Sequence, residues 1–182
     1  MKLNEKLVFD EEKYKGDLLN VRKLTVKLPN GCLATREIVK HADAVAILPI
    51  TSDNKIILEK QWRSPINDVI VEIPAGKIDE RDENPREAAL RELNEEIGYE
   101  SQDLQKICSF YTSPGFTDEY MTLYFAKNLV KVDNKLPKDF GENIELFECS
   151  IKEALKMIEQ GNIKDGKTIT AVYYFELLEK EK

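Results

Sequence analysis

Residues 76–99 read GKIDERDENPREAALRELNEEIGY, and this stretch decides the fold. Asn84 is placed to N-cap a helix, Pro85 suits its first position, and Glu87 completes a capping box. Gly98 supplies the left-handed residue that ends it. Between these limits Ala89, Leu93 and Ile97 recur at helical spacing and predict a buried stripe. The other face carries Glu92, Glu95 and Glu96 at i, i+3 and i+4, so three carboxylates stand side by side. Like charges so spaced cost about 0.2–0.5 kcal/mol per pair. Glu95 and Glu96 also occupy the last turn, where the helix dipole favours cations. Arg91 offsets part of this through Glu87 and Glu95, one turn away on either side. A helix well built everywhere but at one electrostatic spot holds a candidate functional site there. Three hard oxygen ligands on one face suit Mg²⁺ or Mn²⁺, which would cancel the repulsion. A solvated acidic face is the alternative.

Outside this stretch, composition narrows the choices. A chain of 182 residues suits one domain, or one with a small appendage. Its formal net charge of -7 argues against binding nucleic acid through a broad basic surface. No apolar run is long enough to span a membrane, and MKLNEKLVFDEEKYKG lacks the apolar core of a signal peptide, so a cytoplasmic protein is expected. Cys32, Cys108 and Cys149 are widely spaced and read as buried free thiols. His41 is the only histidine and is expected at a strand edge.

Along the chain, strands are expected at 18–28 and 32–39 around the turn Pro29-Asn30-Gly31, then at 43–50, 55–61, 68–73, 104–111, 119–126 and 143–149. Ser150 and Glu153 form a capping box for a helix closed by Gly161. A last helix from about Asp165 is expected to turn Ile169, Val172, Tyr173 and Leu177 inward. The interleaving of strands and helices implies an α/β domain with a mixed sheet.

The stretch quoted above resembles the signature of the Nudix hydrolases, G-x5-E-x7-R-E-U-x-E-E-x-G-U with U bulky and apolar. Gly76, Arg91, Glu92, Leu93, Glu95, Glu96 and Gly98 match, and Tyr99 fills the last position. One extra residue precedes the helix, so the isolated glutamate falls on Asp82 counted forward and on Glu83 counted back. The resemblance implies a Nudix α/β/α sandwich over residues 41–182, behind an N-terminal antiparallel β unit over 1–40. In the similar ADP-ribose pyrophosphatase branch, that unit packs in a homodimer and helps close the partner's active site. The implied reaction is metal-dependent hydrolysis of a nucleoside diphosphate linked to another moiety.

The same resemblance implies roles for single residues. Glu92, Glu95, Glu96 and the Ala75 carbonyl would hold Mg²⁺, with Mn²⁺ a possible substitute, and Arg91 would hold the glutamates in place. Glu142 is the candidate general base. Phe140 stands where a glutamate is expected, so Asp139 or a glutamate of the signature helix is an alternative. Trp62 and Arg63 occupy the place of an aromatic-arginine pair that grips substrate phosphate, and Arg36-Glu37 resembles a substrate-contacting position. Tyr14 could stack on an adenine or serve a core. Pro114 lies sixteen residues beyond Gly98, where the branch acting on ADP-ribose has a proline, and Glu119 matches an acidic residue of the same loop. ADP-ribose, cleaved to AMP and ribose 5-phosphate, is therefore the expected substrate. Another nucleotide sugar, a dinucleoside polyphosphate, or a sensor that binds nucleotide without turnover are the alternatives.

Overall fold

The computed structural model describes residues 3–137 and 141–180 and divides into two units, residues 1–43 with 110–121, and residues 44–109 with 122–182. In the first, β1 (Lys6–Lys15), β2 (Asn20–Lys27) and β3 (Leu33–Lys40) form an antiparallel sheet in that order. The β2–β3 hairpin turns where the sequence predicts. Gly31 adopts φ 88°, its N–H donates to Leu28 O at 2.9 Å, and Leu28 N–H donates to Cys32 O at 2.8 Å. Strand β1 was not anticipated, because KLVFDEEKYK carries no alternating apolar face and is almost wholly exposed. Tyr14 on it is 58% exposed, so it serves no core in this chain. Residues 110–121 belong to this unit as well as the expected N-terminal segment. Val39 N–H donates to Phe116 O at 2.7 Å, and Lys40 Nζ meets Asp118 Oδ2 at 2.6 Å.

Among the described residues, the second unit contains two sheets and three α-helices. Strands β4 (Ala44–Pro49), β5 (Lys55–Arg63), β6 (Asp68–Glu72) and β7 (Ala75–Lys77) precede α1 (Pro85–Glu92). Next come β8 (Tyr99–Tyr111), β9 (Tyr120–Lys131), β10 (Ile144–Ser150), α2 (Ile151–Glu159) and α3 (Gly166–Lys180). The sheets run β7-β4-β9-β8 and β10-β5-β6. Every residue of β4 is buried, as a central strand covered on both faces requires. On one face Val45, Ile47, Tyr124 and Ala126 pack with Ala88, Ala89, Leu93 and Ile97 of the signature stretch. Side chains alternate along a strand, so Phe125 points the other way and meets Phe175 of α3, ring centroids 5.5 Å apart. A helix on each face of the sheet is the expected α/β/α arrangement.

Helix α2 begins at the complete Ser150–Glu153 capping box, and Gly161 beyond it adopts φ 72°. The inward stripe of α3 differs from expectation. Thr168, Ala171, Val172 and Phe175 are buried, whereas Tyr173 and Leu177 are exposed and Ile169 is half-buried. Residues 169–178 are apolar on nearly every side, so their periodicity selects no face. Of the cysteines only Cys149 is buried; Cys108 is half-buried and Cys32 is exposed.

Candidate active site

The signature stretch does not stay α-helical to its end. Asn84 caps α1 through Oδ1, which accepts from the N–H groups of Arg86 and Glu87 at 3.0 and 3.2 Å. After Glu92 the chain widens into a π turn, Leu93–Ile97, closed by Gly98 at φ 74°. Glu92, Glu95 and Glu96 are 8%, 5% and 2% exposed, which removes the solvated-face reading. Burial costs a charged group several kcal/mol unless it is paired, so the partners of these carboxylates are informative.

Arg91 supplies most of the pairing. Its Nη1 donates to Glu92 Oε1 at 2.7 Å and to Glu95 Oε2 at 2.9 Å. Its Nε and Nη2 hold both oxygens of Asp82 at 2.9 and 2.8 Å, and Nη2 also reaches Lys77 O. Asp82, not Glu83, thus meets the signature arginine, and Glu83 is exposed. Glu87 is not among the Arg91 partners; the loop ahead of α1 supplies Asp82 instead. The Asp82 hydrogen bond raises the Arg91 pKa and lowers that of Asp82. Arg81 adds a contact to Glu95 at 3.2 Å.

Glu96 lies apart from these cations. Its Oε2 accepts from Ala75 N–H at 2.9 Å, which seats strand β7 against the π turn. Burial, then the charges of Glu59, Glu92 and Glu142, push its carboxyl well above the ordinary range. Burial also takes Glu92 up to about 7, outweighing its Arg91 ion pair. A Cβ at Gly76 would overlap the Glu92 carboxylate as it stands, so the glycine leaves room for that side chain.

The strands behind supply residues that sequence reasoning missed. Glu59 on β5 is 1% exposed, and Glu72 on β6 is 2% exposed. Arg63 forks onto Glu72 at 2.6 and 3.0 Å, and Lys167 of α3 pairs with Glu72 and Asp165. Burial, then the Glu72 charge, raises Glu59 to about 7. The only available signal was an acidic residue inside the apolar run IILEKQW, which alternation assigns to solvent as readily as to a site. Trp62, next along β5, is 53% exposed.

Lys135 and Leu136, upstream of Glu142 in sequence, are moored to the π turn. Leu136 N–H donates to Asn94 Oδ1 at 2.8 Å, and Lys135 Nζ donates to Glu96 O at 2.8 Å. Glu142 lies close enough for its charge to act on Glu59, Glu92 and Glu96. Asp139 and Phe140 fall outside the described residues. Arg36, Glu37, Pro114 and Glu119 belong to the first unit. There Arg36 pairs with Glu5, Glu37 is exposed, and Pro114 stands in the turn between Ser113 and Phe116. Glu119 accepts from Thr112 Oγ1 at 2.5 Å, and its Oε1 lies 3.4 Å from His41 Nδ1.

Among the described residues, no three acidic side chains converge tightly enough to enclose an ion as they stand. The donor set nevertheless fits a hard divalent cation. Buried carboxylates repel one another here, and Glu59 Oε2 is buried with no hydrogen-bond partner. Among the described residues, no helix is long and apolar enough to cross a membrane.

Known proteins share these features. The NUDIX domain family matches residues 40–172. The chain is 46% identical to the methanol dehydrogenase activator of Bacillus methanolicus, across 98% of this chain and 96% of that one. It is 44% identical to the ADP-ribose pyrophosphatase of Bacillus subtilis (strain 168), across 97% and 95%. The crystal structure of an ADP compounds hydrolase superposes with a TM-score of 0.87 at 21% identity, covering 100% of this chain and 97% of that one, a likeness of fold. A domain match over most of the chain, with Arg91 gathering Glu92 and Glu95 as the signature requires, makes this chain a member of the Nudix hydrolase family.

Proposed function

We propose that the chain hydrolyses ADP-ribose to AMP and ribose 5-phosphate with the aid of Mg²⁺, for which Mn²⁺ can substitute. The observation that carries the chemistry is Glu96, a carboxylate 2% exposed and, among the described residues, beyond ion-pair distance of any Lys or Arg. The choice of substrate rests on the similarity to the B. subtilis ADP-ribose pyrophosphatase. Glu92, Glu95, Glu96 and the Ala75 carbonyl would hold the metal, which when bound would supply Lewis-acid neutralisation of the diphosphate. Arg91 positions Glu92 and Glu95. Glu142 takes the proton of the attacking water as its oxygen bonds to phosphorus. The bridging P–O bond breaks, and its electron pair leaves with the other phosphate.

Trp62, Arg63, Arg36, Glu37, Pro114 and Glu119 contact substrate in this reading. Glu72 engages Arg63 through Nε and one Nη2 proton, so both Nη1 protons and the second Nη2 proton are left for a phosphate oxygen. A homodimer through the N-terminal unit goes with it, supported by the exposed Leu7, Val8, Phe9 and Leu33. A cytoplasmic setting suits three cysteines that are all unpaired.

The test is product identification from the pure protein with Mg²⁺, followed by kcat/KM ratios for ADP-ribose, NADH, ADP-glucose, GDP-mannose and diadenosine polyphosphates. ADP-ribose is expected to lead. A rival hydrolysed tenfold more efficiently would overturn the substrate and leave the reaction class standing. The similarity to the methanol dehydrogenase activator favours a second reading, in which the chain acts on a dehydrogenase. Under it, adding the chain to an assay of methanol dehydrogenase raises the dehydrogenase rate.

A further inference from the structure

The buried charges of the second unit do not balance locally. Asp82, Glu92 and Glu95 share Arg91, and Glu72 has both Arg63 and Lys167. Glu59 and Glu96 have neither, and the charge of Glu59 is the strongest one acting on Glu96. Glu59 Oε2 is buried without a hydrogen-bond partner. Gln61, two residues on and therefore on the same face of β5, is 8% exposed, and its Oε1 is also buried without a partner. A buried acceptor left unsatisfied costs about 1–3 kcal/mol, and more when it is charged. Among the described residues, no protein donor fills this requirement. Of the nearby cations, Arg63 bonds Glu72, and Lys167 bonds Glu72 and Asp165.

We propose that Glu59 is a further ligand of the divalent cation bound at Glu96, so that strand β5 as well as the signature helix holds the metal. This rests on the metal-dependent reading above and extends it to a residue outside the signature. A carboxylate from β5 whose charge acts on Glu96 would give the ion a further anionic oxygen, and the resulting attraction would offset the burial of both groups.

The experiment is Mn²⁺ binding to the full chain, followed by electron paramagnetic resonance of the free ion and by the metal-induced rise in Tm, with no substrate present. Glu59→Gln keeps the shape and removes the charge. It is expected to weaken Mn²⁺ binding at least tenfold and shrink the metal-induced Tm rise, while Glu145→Gln on exposed β10 leaves both unchanged. Should Glu59→Gln fail to fold, Glu59→Val, a residue suited to a strand interior, carries the same measurement. Mn²⁺ affinity within twofold of wild type in the Glu59 variant, with Glu96→Gln strongly weakened, overturns the Glu59 assignment alone. Wild-type affinity in Glu96→Gln as well overturns both this ligand and the metal site on which it rests.

Discussion

In the proposed reaction Glu96 and Glu142 carry different parts of the work, and substitution separates them. Glu96→Gln and Glu92→Gln each remove a hard anionic ligand, so each is expected to lower kcat by about a hundredfold or more. Metal-free Tm should hold or rise in Glu96→Gln, because a buried charge without a cation disappears. Near-wild-type turnover at saturating Mg²⁺ would reject the ligand set. Glu142→Gln should instead depress kcat with KM and Mn²⁺ affinity nearly unchanged, as loss of a proton acceptor does. An unaltered kcat there returns the proton to Asp139 or to the signature helix. At this scale the sequence was readable where spacing is dictated by chemistry: Arg91, Glu92, Glu95 and Glu96 follow one another at fixed intervals. Glu59 and Glu72 were not readable, because each reaches the site across a strand pairing that no local spacing encodes.

Two elements carry contacts whose loss can be measured one at a time. Helix α3 is pinned to the segment after β6 by Thr168, whose Oγ1 accepts from Ile73 N–H at 2.9 Å and donates to Asp165 at 2.5 Å. Thr168→Val keeps the volume but strands a buried N–H, so unfolding in urea should show a loss of about 1–3 kcal/mol. An unchanged midpoint would mean that Ile73 finds another acceptor. Strand β7 depends on Gly76. Gly76→Ala drives a methyl into the Glu92 carboxylate, so metal affinity and kcat should fall together while the circular dichroism spectrum persists. Retained Mn²⁺ affinity would show that Glu92 can turn aside at no cost. The π turn was hidden in the sequence for a physical reason. Residues 92, 95 and 96 share a face in an α-helix as well, and only tertiary contacts decide the local winding. Strand β1 was hidden because it is a charged ribbon fixed by pairing with β2, not by an apolar pattern.

The whole chain is acidic, with a formal charge of -7, and concentrates buried carboxylates in one place. Divalent metal should therefore stabilise it by mass action. At a hundred times Kd, a single site adds roughly 2.7 kcal/mol. Differential scanning calorimetry is expected to show Tm rising with Mg²⁺ and falling again with EDTA, whereas equal ionic strength of NaCl does not reproduce the rise. A Tm indifferent to Mg²⁺ would argue that the native state carries no such site. The α/β class and most strands were legible because residues 43–50 and 55–61 are apolar runs ended by turn residues. The assignment of 110–121 to the first unit was not, since it depends on backbone bonds between Val39 and Phe116, far apart in sequence.

The strand pairing beside Glu142 bears on what would travel during the proposed reaction. Lys135 and Leu136 are fastened to the π turn, and Ile144 is laddered to Gln61. Glu142 lies two residues from that ladder, a leash of about 7 Å at full stretch. A carboxylate so tethered can swing but cannot roam. In the proposed reaction, productive alignment is then a matter of bringing the incoming diphosphate and its water to a leashed acceptor.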